Sequence, residues 1–234
     1  MSTYGIAISG RGALAQSSKV DVLANNLANA ATVGFRRDSI GFRANFEAAI
    51  AADREAGDLE STRRALDLAI QGAGYFAVRD LESGATYYTR AGNFNIDSSG
   101  RLVTADGRCQ VVAADGSGIS LDPAATGSLR IGEDGALYQG EVENGQLVGV
   151  VQFEDVARLA KRGDNLVENR GSAIGGAPGS RILQGTLERS SVNPVLEMAE
   201  LTRALRALEA NLQMIRIMDA TLERTVNEFA RPLK

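Results

Sequence analysis

The chain has 234 residues, with 44% hydrophobic and 23% charged side chains and a formal net charge of −4. A core can be built from Leu, Val, Ile and Ala, but the acidic balance argues against nucleic acid as a main partner, because phosphate binding needs a basic surface. With no histidine and a single cysteine, Cys109, the usual acid–base side chain, the commonest nitrogen ligand for metals and any internal disulfide are excluded.

Taken in chain order, residues 3 to about 32 read as a helix. Ile6, Ala13, Val20 and Leu27 recur every seven residues, with Leu23 and Ala30 as a second row. Gly5, Gly10 and Gly12 weaken its first half by about 1 kcal/mol each against Ala, so this helix needs a partner. The N-terminus shows no basic region followed by a continuous apolar stretch, so no cleavable secretory signal is expected. Nor does any apolar run reach the roughly 20 residues of a membrane span.

The stretch "LANNLANAATVGFRR" (23–37) is unusual, with Asn25, Asn26 and Asn29 set among alanines. Two readings stand. The amides face different neighbours in an assembly, where Ala permits close approach and Asn offers both donor and acceptor. The plainer reading is that they cap or terminate the helix near Gly34. Arg36 and Arg37 fit either an acidic neighbour or a solvated pair.

Residues 37–65 read as a connecting segment. From 66 to 192, glycine and turn signals predict an antiparallel β domain. "YFAV" (75–78) and "ATYYTRAG" (85–92) form one hairpin, and "FNIDSSGRLVT" (94–104) another around Asp97–Gly100. "LRIGEDGALY" (129–138) turns at Asp134-Gly135. "QLVGVVQF" (146–153) and "RILQGTLE" (181–188) are further strands, while "FEDVARLAKRG" (153–163) reads as a short helix or turn.

Residues 193–230 predict a long helix, capped by Asn193 with Pro194 in its first turn and Glu197 near its positive end. Two heptad rows run along it. One is Met198, Leu205, Leu212, Asp219 and Val226; the other is Leu201, Leu208, Ile215, Leu222 and Phe229. Both rows predict a coiled-coil seam, with Asp219 fixing register or marking the seam's end. The fold class is therefore α+β: a discontinuous N- and C-terminal helical (coiled-coil) domain, residues 1–36 plus 193–234, with an inserted antiparallel β domain at 66–192.

Chemical sites are poorly supported. "QGAGYF" (71–76) lacks the third glycine of a dinucleotide loop, so close packing at a strand turn is the plainer reading. Asp97, Asp106, Asp115 and Asp134 lack calcium-loop spacing and suit turns. Tyr87-Tyr88 suits cross-strand packing, and Cys109 reads as a small buried hydrophobe. No cofactor and no catalytic constellation is expected.

The segment "ANNLANAATVGFRR" (24–37) also closely resembles the N-terminal pattern of flagellar rod and hook proteins, A-N-N-[LI]-A-N-x-x-T-x-G-F-[KR]. The resemblance continues in "LDLAIQGAGYFAV" (66–78), "YTRAGNFNIDSSGRLVTADG" (88–107), "FEDVARLAKRGDNLVE" (153–168) and "GTLERSSVNPVLEM" (185–198). Departures occur at Ser191, where the family has Asn, at Leu208, where an aromatic is frequent, and at Arg63 or Arg64, where a glycine is common. The short segment 38–65 and the methionine-rich tail "LQMIRIMDATLE" (212–223) resemble the proximal-rod type most.

That resemblance implies a non-enzymatic axial subunit of the bacterial flagellar basal body. It implies export unfolded through the flagellar type III apparatus, a periplasmic rod location, and torque transmission from motor to hook. The partners implied are further copies, other axial proteins and the export apparatus, with no nucleic acid and no membrane insertion. The expected assembly residues are Asn25, Asn26, Leu27, Asn29, Gly34, Phe35, Met198, Leu201, Leu205, Leu208, Leu212, Ile215 and Leu222. A distal-rod or hook-type subunit is the near alternative; a soluble coiled-coil adaptor and an enzyme with a helical oligomerisation arm are the others.

Overall fold

The computed structural model describes residues 2–42, 48–52, 56–122, 129–140 and 142–229. The chain divides into two compact units. One comprises residues 1–30, 37–53 and 192–234; the other comprises residues 31–36 and 54–191.

The first unit holds two helices, α1 (Ser2–Ala28) and α2 (Pro194–Phe229), and a hairpin of β1 (Asp38–Phe42) with β2 (Ala48–Ala52). At about 1.5 Å per residue, α2 is roughly 54 Å long. It starts where the sequence puts its cap: Asn193 Oδ1 accepts from the backbone N–H groups of Val195 and Leu196 at 3.1 and 3.3 Å. The helix that ends at Ala28 closes on its own amides, since Asn29 Nδ2 donates to the carbonyl of Asn25 at 2.9 Å.

The helices pack antiparallel. Lys19 pairs with Glu200 at 3.2 Å, and the Gly12 position faces the side chain of Asn211. Small surfaces make this approach possible, for Ala13 and Ala15 are buried on α1 and Ala204 is buried on α2. The face of α2 turned to α1 runs Glu197, Leu201, Ala204, Leu208, Asn211, Ile215, Met218 and Leu222, all buried or half-buried.

This corrects the two-row seam. Leu201, Leu208, Ile215 and Leu222 lie on the α1 face, but Met198, Leu205 and Leu212 do not. The small Ala204 takes the inner place because α1 comes too close for a second leucine row. Asp219 is exposed rather than set in the contact, and the side chains of Val226 and Phe229 lie outside those described.

The second unit is antiparallel β. The first strands in the chain are β3 (Leu59–Ser61), β4 (Leu68–Gln71), β5 (Tyr75–Asp80), β6 (Thr86–Thr89), β7 (Asn95–Ile96), β8 (Leu102–Val103) and β9 (Cys109–Val111). They are followed by β10 (Leu129–Ile131), β11 (Ala136–Gln139), β12 (Val142–Leu147) and β13 (Val150–Phe153). The last are β14 (Leu159–Gly163), β15 (Leu166–Asn169), β16 (Ile174–Gly176), β17 (Arg181–Gln184) and β18 (Thr186–Glu188). The largest sheet runs β14-β15-β6-β5-β9-β8-β7, with β13 beside β5 and β16 beside β13. Three smaller sheets pair β10-β11-β12, β17 with β4, and β18 with β3. Phe76 and Phe94, both fully buried, meet edge to face at 5.2 Å within the main core.

The turns use the expected chemistry. Gly100 (φ 79°) closes the β7–β8 turn while Asp97 Oδ1 accepts from the N–H groups of Ser99 and Arg101. Asp134 and Asp115 accept in the same way from Ala136 and Ser117. Backbone and side-chain donors hold Asp97 and Asp115 below the ordinary carboxylate range. Gly72 and Gly74 have φ of 113° and 128°, and a Cβ at Gly74 would come 2.8 Å from Val150, so close packing accounts for both. Tyr88 packs edge to face on Phe153 at 4.8 Å. Cys109 is buried, and burial pushes its thiol up to about 11.

Residues 153–163 contain a short one-turn 3-10 helix (Val156–Arg158), as expected, followed by strand β14, which was not expected. The segment 37–65 is structured where described: 37–53 belongs to the helical unit and 54–65 to the β unit.

The structure also identifies the glycine-like site before "LD". Arg63 has φ 60° and Arg64 is not in that region. A left-handed L-residue costs about 1 kcal/mol or more, partly offset by the entropy glycine loses on folding. Arg63→Gly is expected to raise stability by about 0.5–1 kcal/mol, read as a higher urea midpoint with unchanged slope.

Candidate assembly surface

The amide-rich stretch resolves into three fates. Asn26 is fully buried on α1. Its Nδ2 donates to the carbonyl of Asp38 at 2.8 Å, and its Oδ1 accepts from the Asp38 N–H, also at 2.8 Å. One side-chain amide thus does for β1 what a neighbouring strand would do. The same Nδ2 lies 3.4 Å from Glu197 Oε2, and Arg37 Nε donates to Glu197 Oε1. Asn25 is exposed, and Asn29 donates back to it, so these two close the helix. Leu27 is half-buried.

Gly34 and Phe35 have internal roles in the β unit. Gly34 (φ 65°) sits so close to the Arg90 backbone that a Cβ would lie 2.5 Å from the Arg90 carbonyl carbon. Its N–H donates to the Glu188 carbonyl at 2.7 Å. Phe35 is buried beneath the Lys161 ammonium, 4.4 Å from its ring centroid. Asn26, Gly34 and Phe35 are each buried in contacts inside their own unit.

Sequence reasoning missed the charge cluster beside Gly34. Arg90 and Glu188, both nearly fully buried, pair at 3.1 Å. Arg90 also donates to the carbonyls of Ile70 (3.1 Å) and Gly72 (2.7 Å). Arg36 reaches Glu188 at 3.7 Å, and the Gly57 N–H donates to Glu188 Oε1 at 3.3 Å. The Nε atoms of Arg36 and Arg90 have no hydrogen-bond acceptor, but both guanidinium groups lie over Tyr75, at 5.6 and 5.4 Å from its ring centroid. Burial, then the charge of Arg36, lowers the Arg90 pKa, while Glu188 opposes that shift. The available signal was the arginine of "YTRAG" and the glutamate of "GTLER", polar residues inside otherwise strand-like runs.

The surface left over is on α2. Met198, Leu205 and Leu212 are 54, 42 and 43% exposed and share one flank of the helix by its 3.6-residue period. Leu196 and Met214, 63 and 48% exposed, share the opposite flank. Val195 and Ile217 are exposed as well. Apolar residues thus continue on both sides of the face that α1 covers. Among the described residues no helix is long and apolar enough to cross a membrane, and no group of three or more acidic, Cys or His residues could hold a metal ion.

Comparison with known proteins places this arrangement. Residues 6–36 match the family of the flagella basal body rod protein. Residues 69–139 match the flagellar hook protein FlgE/F/G D1 domain, and residues 183–228 match the flagellar basal body rod FlgEFG protein C-terminal. The chain is 34% identical over 249 residues to the flagellar basal-body rod protein FlgG of Bacillus subtilis, covering 90% of this chain and 93% of that one. It is 34% identical over 224 residues to the flagellar basal-body rod protein FlgF of Caulobacter vibrioides, covering 88% of each. It is 33% identical to FlgF of Mesorhizobium japonicum, over 87% of this chain and 88% of that one. The chain belongs to the family of flagellar basal-body rod and hook proteins. It is a structural protein of the basal-body rod, in keeping with relatives that are rod proteins rather than enzymes.

Proposed function

We propose that this chain is an axial subunit of the periplasmic rod, of the proximal type, whose terminal helices form a coiled-coil layer completed by neighbouring copies and other axial proteins. The observation that carries the reading is the apolar surface on both flanks of α2, which one α1 does not cover. The occupants of those flanks are helices of adjacent subunits, and the contacts include Asn25, Leu27 and the Met198, Leu205, Leu212 row. Stacked subunits of one kind make a head-to-tail contact that does not close, and such contacts build filaments. Load passes along this layer as torque from motor to hook. The short segment 38–65 supports the proximal type.

Export as an unfolded chain through the flagellar type III apparatus fits ends that bury their apolar rows only in company. In the dilute monomer the terminal helices are partly disordered and the β unit is folded. Limited proteolysis of dilute protein is expected to leave a resistant fragment that spans the β unit, near residues 54–191; uniformly resistant termini count against it. Electron microscopy at rising concentration separates polymer from adaptor, with fibres or tubes expected and a closed small oligomer contradicting it. In the cell, deletion is expected to abolish motility and leave basal bodies without a complete rod.

A further inference from the structure

Each of the two helices carries a face that the other does not cover. On α1, Gly10, Leu14, Asp21 and Ala28 share one side by the 3.6-residue period, turned away from α2. Leu14 is 71% exposed, Asp21 and Ala28 are exposed, and a Cβ at Gly10 would meet nothing within 4 Å. On α2, the flank that holds Leu196 and Met214 also holds Arg203 and Ala210. Arg203 bonds Glu200 on its own helix, yet its side chain is 74% exposed and has room for a second carboxylate.

The two faces match when one is read backwards. From Gly10 through Leu14 and Asp21 to Ala28 the steps are four, seven and seven residues, and from Met214 back through Ala210 and Arg203 to Leu196 they are the same. Laid antiparallel, small meets large at three levels: Gly10 at Met214, Leu14 at Ala210 and Ala28 at Leu196. At the remaining level Asp21 meets Arg203, acid against base. The helices of one chain already pair antiparallel, with Gly12 opposite Asn211 and Asn26 beside Glu197, a register one residue away from this one. We infer that the outer face of α1 in one copy docks on the Leu196–Met214 flank of α2 in a second copy, with Leu14 seated at Ala210 and Asp21 paired to Arg203.

The Met198, Leu205 and Leu212 flank is a worse host for that face. With Leu14 set at Leu205, leucine stands against leucine and Asp21 falls on Met198, so size and charge both mismatch. The two docking faces are different surfaces of the chain, so the contact is heterologous and can repeat from copy to copy. This inference rests on the polymer reading above and names which surfaces meet in the polymer.

Charge reversal in the full chain is the test. Asp21→Arg alone and Arg203→Asp alone each set like charges across every such contact, and each is expected to raise the concentration needed for polymer by about tenfold or more. An equimolar mixture of the two variant chains is expected to polymerise at close to the wild-type concentration, because alternating copies restore opposite charges. A defect in the fold of either variant would not be repaired by mixing. In a second measurement, polymer of the Leu14→Cys, Ala210→Cys chain is expected to link neighbouring copies into a ladder on oxidation, while polymer of the Leu14→Cys, Leu205→Cys chain stays unlinked. A wild-type chain that stays monomeric at every concentration overturns the polymer reading and this inference with it. The pairing alone is overturned, with the polymer reading left standing, if wild-type polymer forms but either single reversal polymerises as readily, the mixture shows no recovery, or links form at Leu205 rather than at Ala210.

Discussion

Replacing Glu188 with alanine is expected to destabilise the β unit by about 3–5 kcal/mol, a large fraction of the 5–15 kcal/mol that holds a typical domain. The loss comes less from the missing attraction than from what remains. Arg90, 3% exposed, would keep its charge with no carboxylate beside it, and Arg36 would add like charge over the same Tyr75 ring. The Gly57 N–H would lose its acceptor as well. A buried ion pair can often be exchanged for apolar residues at little cost. Here that exchange is expected to fail: the double variant Arg90→Met, Glu188→Leu strands the carbonyls of Ile70 and Gly72, which Arg90 now satisfies. Urea denaturation followed by a β-sheet signal checks both variants. A Glu188→Ala loss under about 1 kcal/mol, or full recovery in the double variant, contradicts the account of this cluster.

The second large effect is on assembly and not on folding. The double variant Leu205→Asp, Leu212→Asp is expected to leave the β unit's urea midpoint unchanged while raising the concentration needed for polymer at least about a hundredfold. Each leucine buried by a neighbour contributes about 1.5–3 kcal/mol, and about 1.4 kcal/mol is a factor of ten. The two side chains are 42 and 43% exposed and lie off the α1 face, so their loss does not disturb helix pairing within the chain. Substitutions at Leu201 or Leu208 act differently, because those residues already meet α1 and their loss weakens the helical unit itself. Sedimentation across a concentration series distinguishes the two kinds of variant. Polymer formation by the Leu205→Asp, Leu212→Asp chain at wild-type concentration would remove this flank from the interface.

Much of the fold was legible because it is written locally. Asn193 and Pro194 announce α2, and the Asp-Gly and Asp-to-Gly turns at 97–100 and 134–135 place their strands without reference to distant residues. The β1–β2 hairpin was not legible. "DSIGF" and "AAIAA" carry few β-branched residues, and β1 is fixed by an asparagine side chain on a helix rather than by its own pattern. The same holds for β14, where "LAKRG" has helix-forming residues but pairs with β15 through Leu159 to Gly163.

The candidate surface was half legible for a related reason. A heptad count finds apolar rows but does not say which row a close, alanine-lined partner can reach. Ala204 and Gly12 decide that by size, and two leucine-rich rows then divide into one turned inward and one left outside. The amides were harder still. Asn26 and Asn25 are adjacent and identical in type, yet one replaces a strand neighbour and the other helps end a helix. Only the partner's position, twelve residues on or four, separates them.

The central claim is that the outer flank of α2 is open in a single chain and covered in the polymer, and thiol labelling reads this directly. Cys109 is buried with its thiol pushed up to about 11, which leaves a quiet background for one introduced site. With the Leu205→Cys variant, a maleimide is expected to react with the dilute subunit at close to the rate for a free thiol and to be excluded once the protein has polymerised. Equal protection of that thiol in the dilute monomer, or equal reactivity in the polymer, would contradict the account.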